Sequence, residues 1–159
     1  MINVYGDVGS SRFVYETVSK QAQSRDKNAL IALDKNGQDP VYHKYSELDQ
    51  YSNKFANLLF DLRCIKGDFA FVMIPRQPAW YHVLLGCMKL GVVAMPGTNL
   101  LTAKDIEYRV NRSEAKIVIV TEEHLEKVNI IRKKCPTLEH LIVVSGEAKD
   151  NWICMAEAC

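Results

Sequence analysis

The feature that most constrains the fold is a regular alternation, over residues 66–145, of short apolar runs with segments of helix length. The runs are FAFVMI (69–74), VVAM (92–95), KIVIVT (116–121) and HLIVVS (140–145). A nearly continuous apolar strand is expected where both faces of a sheet are covered. Strands separated by helices of about 10–15 residues form right-handed βαβ units. The sequence therefore predicts an α/β fold with a doubly wound, mostly parallel sheet and flanking helices.

Helix boundaries within this range carry their own signals. Pro78 suits a first helical position, and Gly91 suits the residue that ends a helix. The intervening segment, Trp80 to Leu90, is apolar almost all round, which is typical of a buried helix. Thr102 and Asp105 form a T-x-x-D capping box that predicts the start of the next helix.

Residues 13–65 predict a helix, a β-hairpin and a second helix. The hairpin consists of ALIAL (29–33) and VYHKY (41–45), which flank an Asn-Gly turn. Ser46 and Asp49 form an S-x-x-D box that is expected to cap the second helix. Apolar residues then recur every three or four positions from Leu48 to Leu62, which indicates one buried helix face.

Length and composition are those of one globular domain. The chain has 159 residues, of which 48% are hydrophobic and 25% charged. We expect an irregular leader over residues 1–12 and a single α/β domain over 13–159. Within that domain, 66–145 carries the βαβ units and 146–159 is a tail.

Charge and cysteine content limit the classes of partner that we expect this chain to bind and the cellular compartment in which we expect it. Lys and Arg (20) nearly balance Asp and Glu (19), which predicts no nucleic-acid partner and no anionic membrane surface. No apolar run reaches the roughly 20 residues of a membrane-spanning helix. The N-terminus lacks signal-peptide features, and the five cysteines form no CxxC pair. These features predict a cytoplasmic protein.

The sequence lacks the loops that usually bind nucleotides on such a scaffold. It contains no G-x-x-x-x-G-K-[ST] loop, no G-x-G-x-x-G after a strand and no G-x-S-x-G elbow. The four histidines have no metal-ligand spacing, so no metal site is predicted. His82, next to Trp80 and Tyr81, is interpreted as a core histidine. The residues alone thus indicate a nucleotide-compatible fold without nucleotide-binding loops.

Two motifs resemble early core motifs of the AMP-forming adenylating enzymes, which include acyl-CoA synthetases, firefly luciferase and peptide-synthetase adenylation domains. They are Tyr45-Ser46-Glu47-Leu48, which opens the helix YSELDQYSNKFANLL, and MKLGVVAMPGT (88–98). The segment PGTNLLTAKDIEYRV (96–110) most resembles the acetyl/medium-chain acyl-CoA synthetase branch. The chain departs from the family at Lys44, where Ser or Thr is usual.

The resemblance implies an activity for a longer parent enzyme. Such enzymes join a carboxylate to ATP, release pyrophosphate and pass the acyl group from acyl-AMP to coenzyme A. ATP, Mg and coenzyme A are therefore implied for the full-length parent, and this chain is a partial N-terminal subdomain of a larger fold. The family's phosphate loop and adenylation lysine lie downstream, and no residue here matches a catalytic position. We expect the isolated chain to be inactive and to bind no cofactor by itself.

The resemblance also gives one candidate site, the loop containing Thr98, Asn99 and Leu100. In the acyl-CoA synthetase branch this loop lies near the cleft for the thiol arm of coenzyme A, so these residues would form a cleft wall. The alternative is a plain strand-to-helix connection, with Thr102 capping the next helix.

Two other functions stay open. One is a non-catalytic interaction module, for example a homodimer formed through an exposed sheet edge or apolar face. The other is a stand-alone nucleotide-binding domain of the flavodoxin-like type.

Overall fold

The structure, a computed structural model, describes residues 13–24, 26–34, 36–146 and 151–158. Its contacts divide the chain into two compact units, Met1–Gln50 and Tyr51–Cys159, here called the N-terminal and C-terminal units. The expected leader, residues 1–12, lies outside the described residues. A single domain over 13–159 stays a prediction, and each unit is described by itself.

The N-terminal unit contains a helix, a hairpin and the start of a second helix, in the predicted order. Its elements are α1 (Phe13–Ser24), β1 (Asn28–Ala32), β2 (Val41–Lys44) and the first turns of α2 (Tyr45–Asp61). The two strands are antiparallel, as the hairpin prediction requires. Asp34 stabilises the turn between them, because its carboxylate accepts hydrogen bonds from the backbone N–H groups of Asn36 and Gln38.

The predicted Ser46–Asp49 capping box is wrong. Helix α2 begins at Tyr45, so Ser46 already lies within its first turn. The Asp49 carboxylate accepts a 2.7 Å hydrogen bond from the hydroxyl of Ser19, on α1. The S-x-x-D pattern was misleading because the Asp49 carboxylate is hydrogen-bonded to Ser19, which is distant in the sequence.

A different set of side chains caps α2. The Glu47 carboxylate accepts a 2.7 Å hydrogen bond from the backbone N–H of Lys44, which is one half of a capping box. Lys44 cannot supply the other half, since its side chain has no acceptor. Instead the Asp26 carboxylate accepts a hydrogen bond from the backbone N–H of Ser46, 3.0 Å away. Asp26 also pairs with the Lys44 ammonium at 3.5 Å.

The C-terminal unit is a five-stranded parallel sheet with helices on both faces. After α2 come β3 (Phe69–Met73), α3 (Pro78–Leu90), β4 (Val93–Pro96), α4 (Ala103–Ser113), β5 (Ile117–Val120), α5 (Leu125–Ile131), β6 (His140–Val143), β7 (Trp152–Cys154) and α6 (Met155–Ala158). Short 3-10 turns flank α5. The strand order is β4-β3-β5-β6-β7, and every pairing is parallel. This order confirms the predicted doubly wound sheet.

Alternate strand residues face two separate cores. On one face, Ala70, Val72, Ile117, Ile119 and Ile142 pack with Phe55 and Leu59 of α2 and Val83 and Cys87 of α3. On the other, Phe71, Met73, Val118, Val120, Leu141 and Val143 pack with Ile106 and Val110 of α4 and Val128 and Ile131 of α5. The apolar strand runs thus reflect burial on both faces.

The boundaries of α3 confirm the sequence signals. Pro78 occupies the first helical turn, and Gly91 caps the C-terminus with φ of 83°. That left-handed backbone is the conformation that favours glycine. The Gly91 N–H donates to Cys87 O at 2.8 Å.

Strand β7 corrects the interpretation of residues 146–159 as a tail. Its residues pair in parallel with β6, and Trp152 and Cys154 are buried. Parallel neighbours usually need a connection of a dozen residues or more. Here only residues 144–151 connect β6 to β7. That short connection, together with a strand of three residues, explains why the pattern gave no strand.

Candidate functional site at the end of strand β4

The loop of residues 97–102 begins where β4 leaves the sheet. The Gly97 N–H donates to Val72 O at 2.8 Å, which extends the β3–β4 pairing by one bond. A β-carbon on Gly97 would lie 2.6 Å from Cζ of Phe71 and 3.1 Å from Cδ1 of Leu101. Glycine is therefore needed here because the backbone lies directly on the Phe71 ring.

Thr98, Asn99 and Leu100 project from a compact turn. The Leu101 N–H donates to Thr98 O at 3.3 Å, and the Leu100 N–H donates to Thr98 Oγ1 at 3.4 Å. Leu101 packs against the core on the α4–α5 face of the sheet. Leu100, by contrast, is 88% exposed. The structure thus brings the three predicted residues together in one loop, and their role as a cleft wall stays a prediction.

Lys127, on α5, holds this loop from the side. Its ammonium donates hydrogen bonds to Leu101 O at 2.9 Å and to Asn99 O at 3.3 Å. No sequence pattern indicates this contact, because the partners are more than 25 positions apart along the chain.

The loop ends at the predicted capping box of α4, which is confirmed. The Thr102 hydroxyl accepts from the Asp105 N–H at 3.3 Å, and the Asp105 carboxylate accepts from the Thr102 N–H at 2.9 Å. The hydrogen bonds from Thr102 lower the pKa of Asp105. The box fixes where the loop becomes helix.

A surface cavity of about 240 Å³ lies beside the loop. Phe71, Met95 and Pro96 contribute apolar lining, and Arg109 and Arg112 of α4 contribute two cations; Tyr108 and Ser113 complete the lining. Phe71 connects the cavity with the loop, since its ring also lies beneath Gly97. This arrangement suits a ligand with an apolar portion and an anionic group.

Sequence reasoning did not assign this cavity. The signal was present in DIEYRV (105–110), which carries Tyr108 and Arg109 three to four residues after the capping box. Recognising it requires knowing that α4 packs beside Met95 and Pro96, which is a tertiary contact.

The other prominent edge position, where the carboxyl ends of β3 and β5 adjoin, does not suit a nucleotide phosphate. In doubly wound sheets this switch point is the usual ligand position. Here Pro78 removes a backbone donor from the first turn of α3. Glu122 and Glu123 follow β5 and bring negative charge, and the Glu122 carboxylate lies against Gly146, which follows β6. The described residues also hold no cluster of three or more His, Cys, Asp or Glu side chains able to bind a metal ion. The proline and the two carboxylates do not suit a nucleotide phosphate, and Arg76, between β3 and α3, supplies a single exposed cation there.

Two buried histidines and two buried cysteines, His82, His124, Cys64 and Cys87, have the environments of core residues. His82 is buried and stacks on Tyr51, with the ring centroids 4.9 Å apart, as expected for a core histidine. Burial lowers the pKa of His124, although Glu123 opposes the shift. Burial also raises the pKa of Cys64 to about 11 and that of Cys87 to about 12. Both thiols therefore stay protonated at neutral pH and behave as small apolar groups.

Comparison with known proteins gives consistent matches over most of the chain. Residues 18–158 match the family described as AMP-binding enzyme. The chain is 39% identical over 120 residues to acyl-coenzyme A synthetase ACSM4, mitochondrial, of Rattus norvegicus, covering 75% of this chain and 21% of that protein. It is 32% identical over 144 residues to acetyl-coenzyme A synthetase of Bacillus subtilis (strain 168), covering 90% and 25%.

The solved structures agree on the fold. Acetoacetyl-CoA synthetase from Streptomyces lividans superimposes with a TM-score of 0.81 at 21% identity, covering 91% of this chain and 24% of that one. This chain therefore spans about a fifth to a quarter of the length of the curated relatives described above. None of the helices formed by the described residues combines the length and apolarity needed to cross a bilayer.

Proposed function

This chain belongs to the AMP-binding enzyme family, and from that membership we propose that it forms the N-terminal segment of an acyl-CoA synthetase. The parent enzyme would activate a carboxylic acid with ATP to acyl-AMP and transfer the acyl group to coenzyme A. The observation that carries this proposal is the match to a rat and a Bacillus protein that are both named as coenzyme A synthetases.

We infer that the 159 residues alone do not adenylate. Attack of a carboxylate on the α-phosphate of ATP requires charge-stabilising donors held in fixed positions. Between β3 and α3 this chain offers Pro78 and one exposed cation, Arg76, and after β5 it offers Glu122 and Glu123, which do not stabilise phosphate charge. In this proposal the segment shapes part of the enzyme, and downstream residues perform the chemistry.

Within that enzyme, Thr98, Asn99 and Leu100 would form a wall of the cleft for coenzyme A. The adjacent cavity supports this role, because coenzyme A combines phosphate groups with a long, largely uncharged thiol arm. Arg109 and Arg112 would attract the phosphates, and the apolar lining would accept less polar parts of the ligand. Arginine suits phosphate because its guanidinium can donate two parallel hydrogen bonds.

From the sequence alone we expect the isolated chain to bind no cofactor, but the cavity beside the loop changes that expectation for coenzyme A. Titration of the ¹⁵N-labelled chain with coenzyme A tests the wall directly. We expect amide shifts concentrated at residues 97–102 and along α4, and roughly tenfold weaker binding for Arg109→Gln. Lys133→Gln, which removes an exposed cation outside the cavity, is the matched control. Shifts elsewhere in the chain, or none at millimolar coenzyme A, would contradict the wall assignment.

A chimera tests the parent activity. The matched 144-residue part of the Bacillus subtilis synthetase is replaced by the corresponding part of this chain. We expect acetyl-CoA formation above that of the Bacillus protein lacking the segment. A chimera that is folded by circular dichroism and elutes as the parent enzyme does, yet forms neither acyl-AMP nor acyl-CoA, would contradict the proposal.

The second candidate function is self-association, and a specific feature of the N-terminal unit favours it. Ile31 of β1 lies opposite Tyr42 of β2, and the two are 54% and 55% exposed. Leu33, two residues beyond Ile31, is 58% exposed. An apolar hairpin face of this kind favours contact with another protein surface. Gel filtration with light scattering decides: a dimer that Tyr42→Lys dissociates supports this candidate, and a monomer at high concentration contradicts it.

We expect this chain to reside in the same cellular compartment as its parent enzyme. We propose the cytoplasm from the cysteine content. The rat relative is named as mitochondrial. Fractionation of cells that express the natural full-length protein distinguishes the two compartments.

A further inference from the structure

We propose that Lys127 is a positioning residue that fixes the conformation of loop 98–101, and thereby the wall formed by Thr98, Asn99 and Leu100. The wall rests on the proposed function, whereas the loop anchor stands on the geometry alone. Lys127 lies in none of the family-like motifs of the sequence, and it contacts the loop only through main-chain carbonyls in the bonds described.

The first support is the place of the contact in the sheet. The loop follows β4, and Lys127 lies on the helix that follows β5, but β3 separates these strands. Two strand spacings amount to roughly 10 Å. A lysine side chain covers only part of that distance, and the contact also depends on the packing of α5 beside α4, the helix that the loop leads into. The ammonium carries three donors. The contact therefore ties together two connections that the sheet itself keeps apart.

The second support is the quality of the bonds. The ammonium reaches Leu101 O at 2.9 Å, which is an ordinary hydrogen-bond length. That bond is shorter than those made inside the loop by the Leu100 and Leu101 amides, at 3.4 and 3.3 Å, whereas the second Lys127 bond, to Asn99 O, is 3.3 Å. Lys127 is half-buried, so its charge-assisted bonds are less weakened by water than those of a fully exposed lysine.

The third support is the position of the two acceptors. Asn99 O and Leu101 O flank Leu100, whose side chain is almost entirely exposed. Asn99 O belongs to the peptide that precedes Leu100, and Leu101 O belongs to the peptide that joins Leu101 to Thr102, so the two bonds fix peptide planes at both ends of the Leu100–Leu101 segment. Without Lys127, the apolar contact of Leu101 and the capping box at Thr102 would hold one end of the loop, and Gly97 the other. The residues between them would lose their anchor.

The experiment measures backbone motion in the ¹⁵N-labelled 159-residue chain. In Lys127→Met, which keeps the stem length but removes the donors, we expect order parameters at residues 98–101 to fall from about 0.85 to below about 0.6. Lys127→Arg retains the charge and the donors and should restore most of the rigidity. Lys133→Met, at an exposed lysine beyond the end of α5, is the matched control and should leave the loop unchanged.

A merely structural lysine would lower the melting temperature without a localised change in motion, and Lys127→Arg would not reverse the effect. That outcome, or an unchanged loop in Lys127→Met, overturns the proposal. If Lys127→Met does not fold, Lys127→Gln is measured against the same criteria.

Coenzyme A titration of the same variants separates the two proposals. We expect roughly tenfold weaker binding for Lys127→Met and recovery in Lys127→Arg, because a mobile wall must be ordered on binding. If the motion changes as expected but the unsubstituted chain does not bind coenzyme A, the anchor is supported and the cleft wall fails. If coenzyme A binds equally well to all variants while the loop stays rigid, the anchor fails and the wall can stand.

Discussion

At the scale of single residues, Gly86 determines how closely α2 and α3 pack. A β-carbon at this position would lie 2.7 Å from Cδ1 of Phe55 and 2.9 Å from the backbone oxygen of Ser52. The phenyl ring could rotate slightly, but the carbonyl belongs to a helix and cannot move without shifting α2. The close approach therefore depends on glycine in the middle of α3.

Gly86→Ala is expected to destabilise the chain by roughly 1–2 kcal/mol. Overpacking costs about 1–3 kcal/mol, and the better helix propensity of alanine returns up to about 1 kcal/mol. Urea unfolding followed by circular dichroism measures the change. Met88→Ala, at a half-exposed position on the same helix, is the control and should change stability less. A more stable Gly86→Ala variant would show that the helices can separate at no cost.

Thr102 is the residue on which the start of α4 depends. Thr102→Ala removes the acceptor for the Asp105 N–H and should cost about 1 kcal/mol. Thr102→Ser keeps the hydroxyl and should behave nearly as the unsubstituted chain does. Thermal unfolding of the three proteins checks this, and equal melting temperatures for alanine and serine would contradict the capping assignment.

At the scale of elements, the N-terminus of α2 is capped by the carboxylates of Glu47 and Asp26 and not by a complete capping box. In a complete box, a Ser or Thr at position 44 would accept from the Glu47 N–H while Glu47 accepts from the residue 44 N–H. Here only the Glu47 half remains, and Asp26 supplies an acceptor to Ser46 from outside the helix. The helix start thus depends on a contact with the segment between α1 and β1.

Lys44→Thr is expected to restore the complete box and stabilise the chain by about 1 kcal/mol. The comparison variant is Lys44→Ala, which loses the same contact with Asp26 but gains no acceptor. Chemical denaturation should therefore rank threonine above alanine. If alanine is equal or better, residue 44 is not in a capping geometry.

The elements also show what sequence reasoning can and cannot supply. Thr102 with Asp105, Pro78 with Gly91, and the apolar strand runs were predicted because their partners lie within a few residues or follow one periodicity. The cap of α2, strand β7 and the Lys127 contact depend on residues far apart in the chain. The candidate loop was located through a family resemblance, whereas the adjacent cavity needed the packing of α4.

At the scale of the whole molecule, three carboxylates link stability to pH. The hydrogen bonds from Ser46 lower the pKa of Asp26, and those from Thr102 lower the pKa of Asp105. Burial alone would raise the pKa of Asp68, but the Ile65 N–H and the Lys116 ammonium, 2.9 Å away, lower it overall. All three groups are more acidic folded than unfolded.

The sign of the effect follows from these directions. A lowered folded pKa stabilises the chain at every pH above the ordinary carboxyl pKa of about 4, and this stabilisation is lost as pH falls through the folded values. We therefore expect the urea midpoint to decrease steadily below about pH 4. Asp68→Asn should lower the midpoint at pH 7 and make the acid dependence shallower. Asp61→Asn, at an exposed position of α2, is the control, and a midpoint independent of pH between 5 and 2 would contradict the assignment.

The most direct test of the account is carboxylate-dependent exchange of pyrophosphate into ATP by the purified 159-residue chain. We propose that this segment is part of an acyl-CoA synthetase and that the groups which stabilise the transferring phosphate are supplied by other parts of that enzyme. We therefore expect exchange at the background rate with acetate and with medium-chain carboxylates, in the presence of Mg²⁺. Exchange well above background that requires the carboxylate would show that the chain adenylates by itself, and would contradict the account.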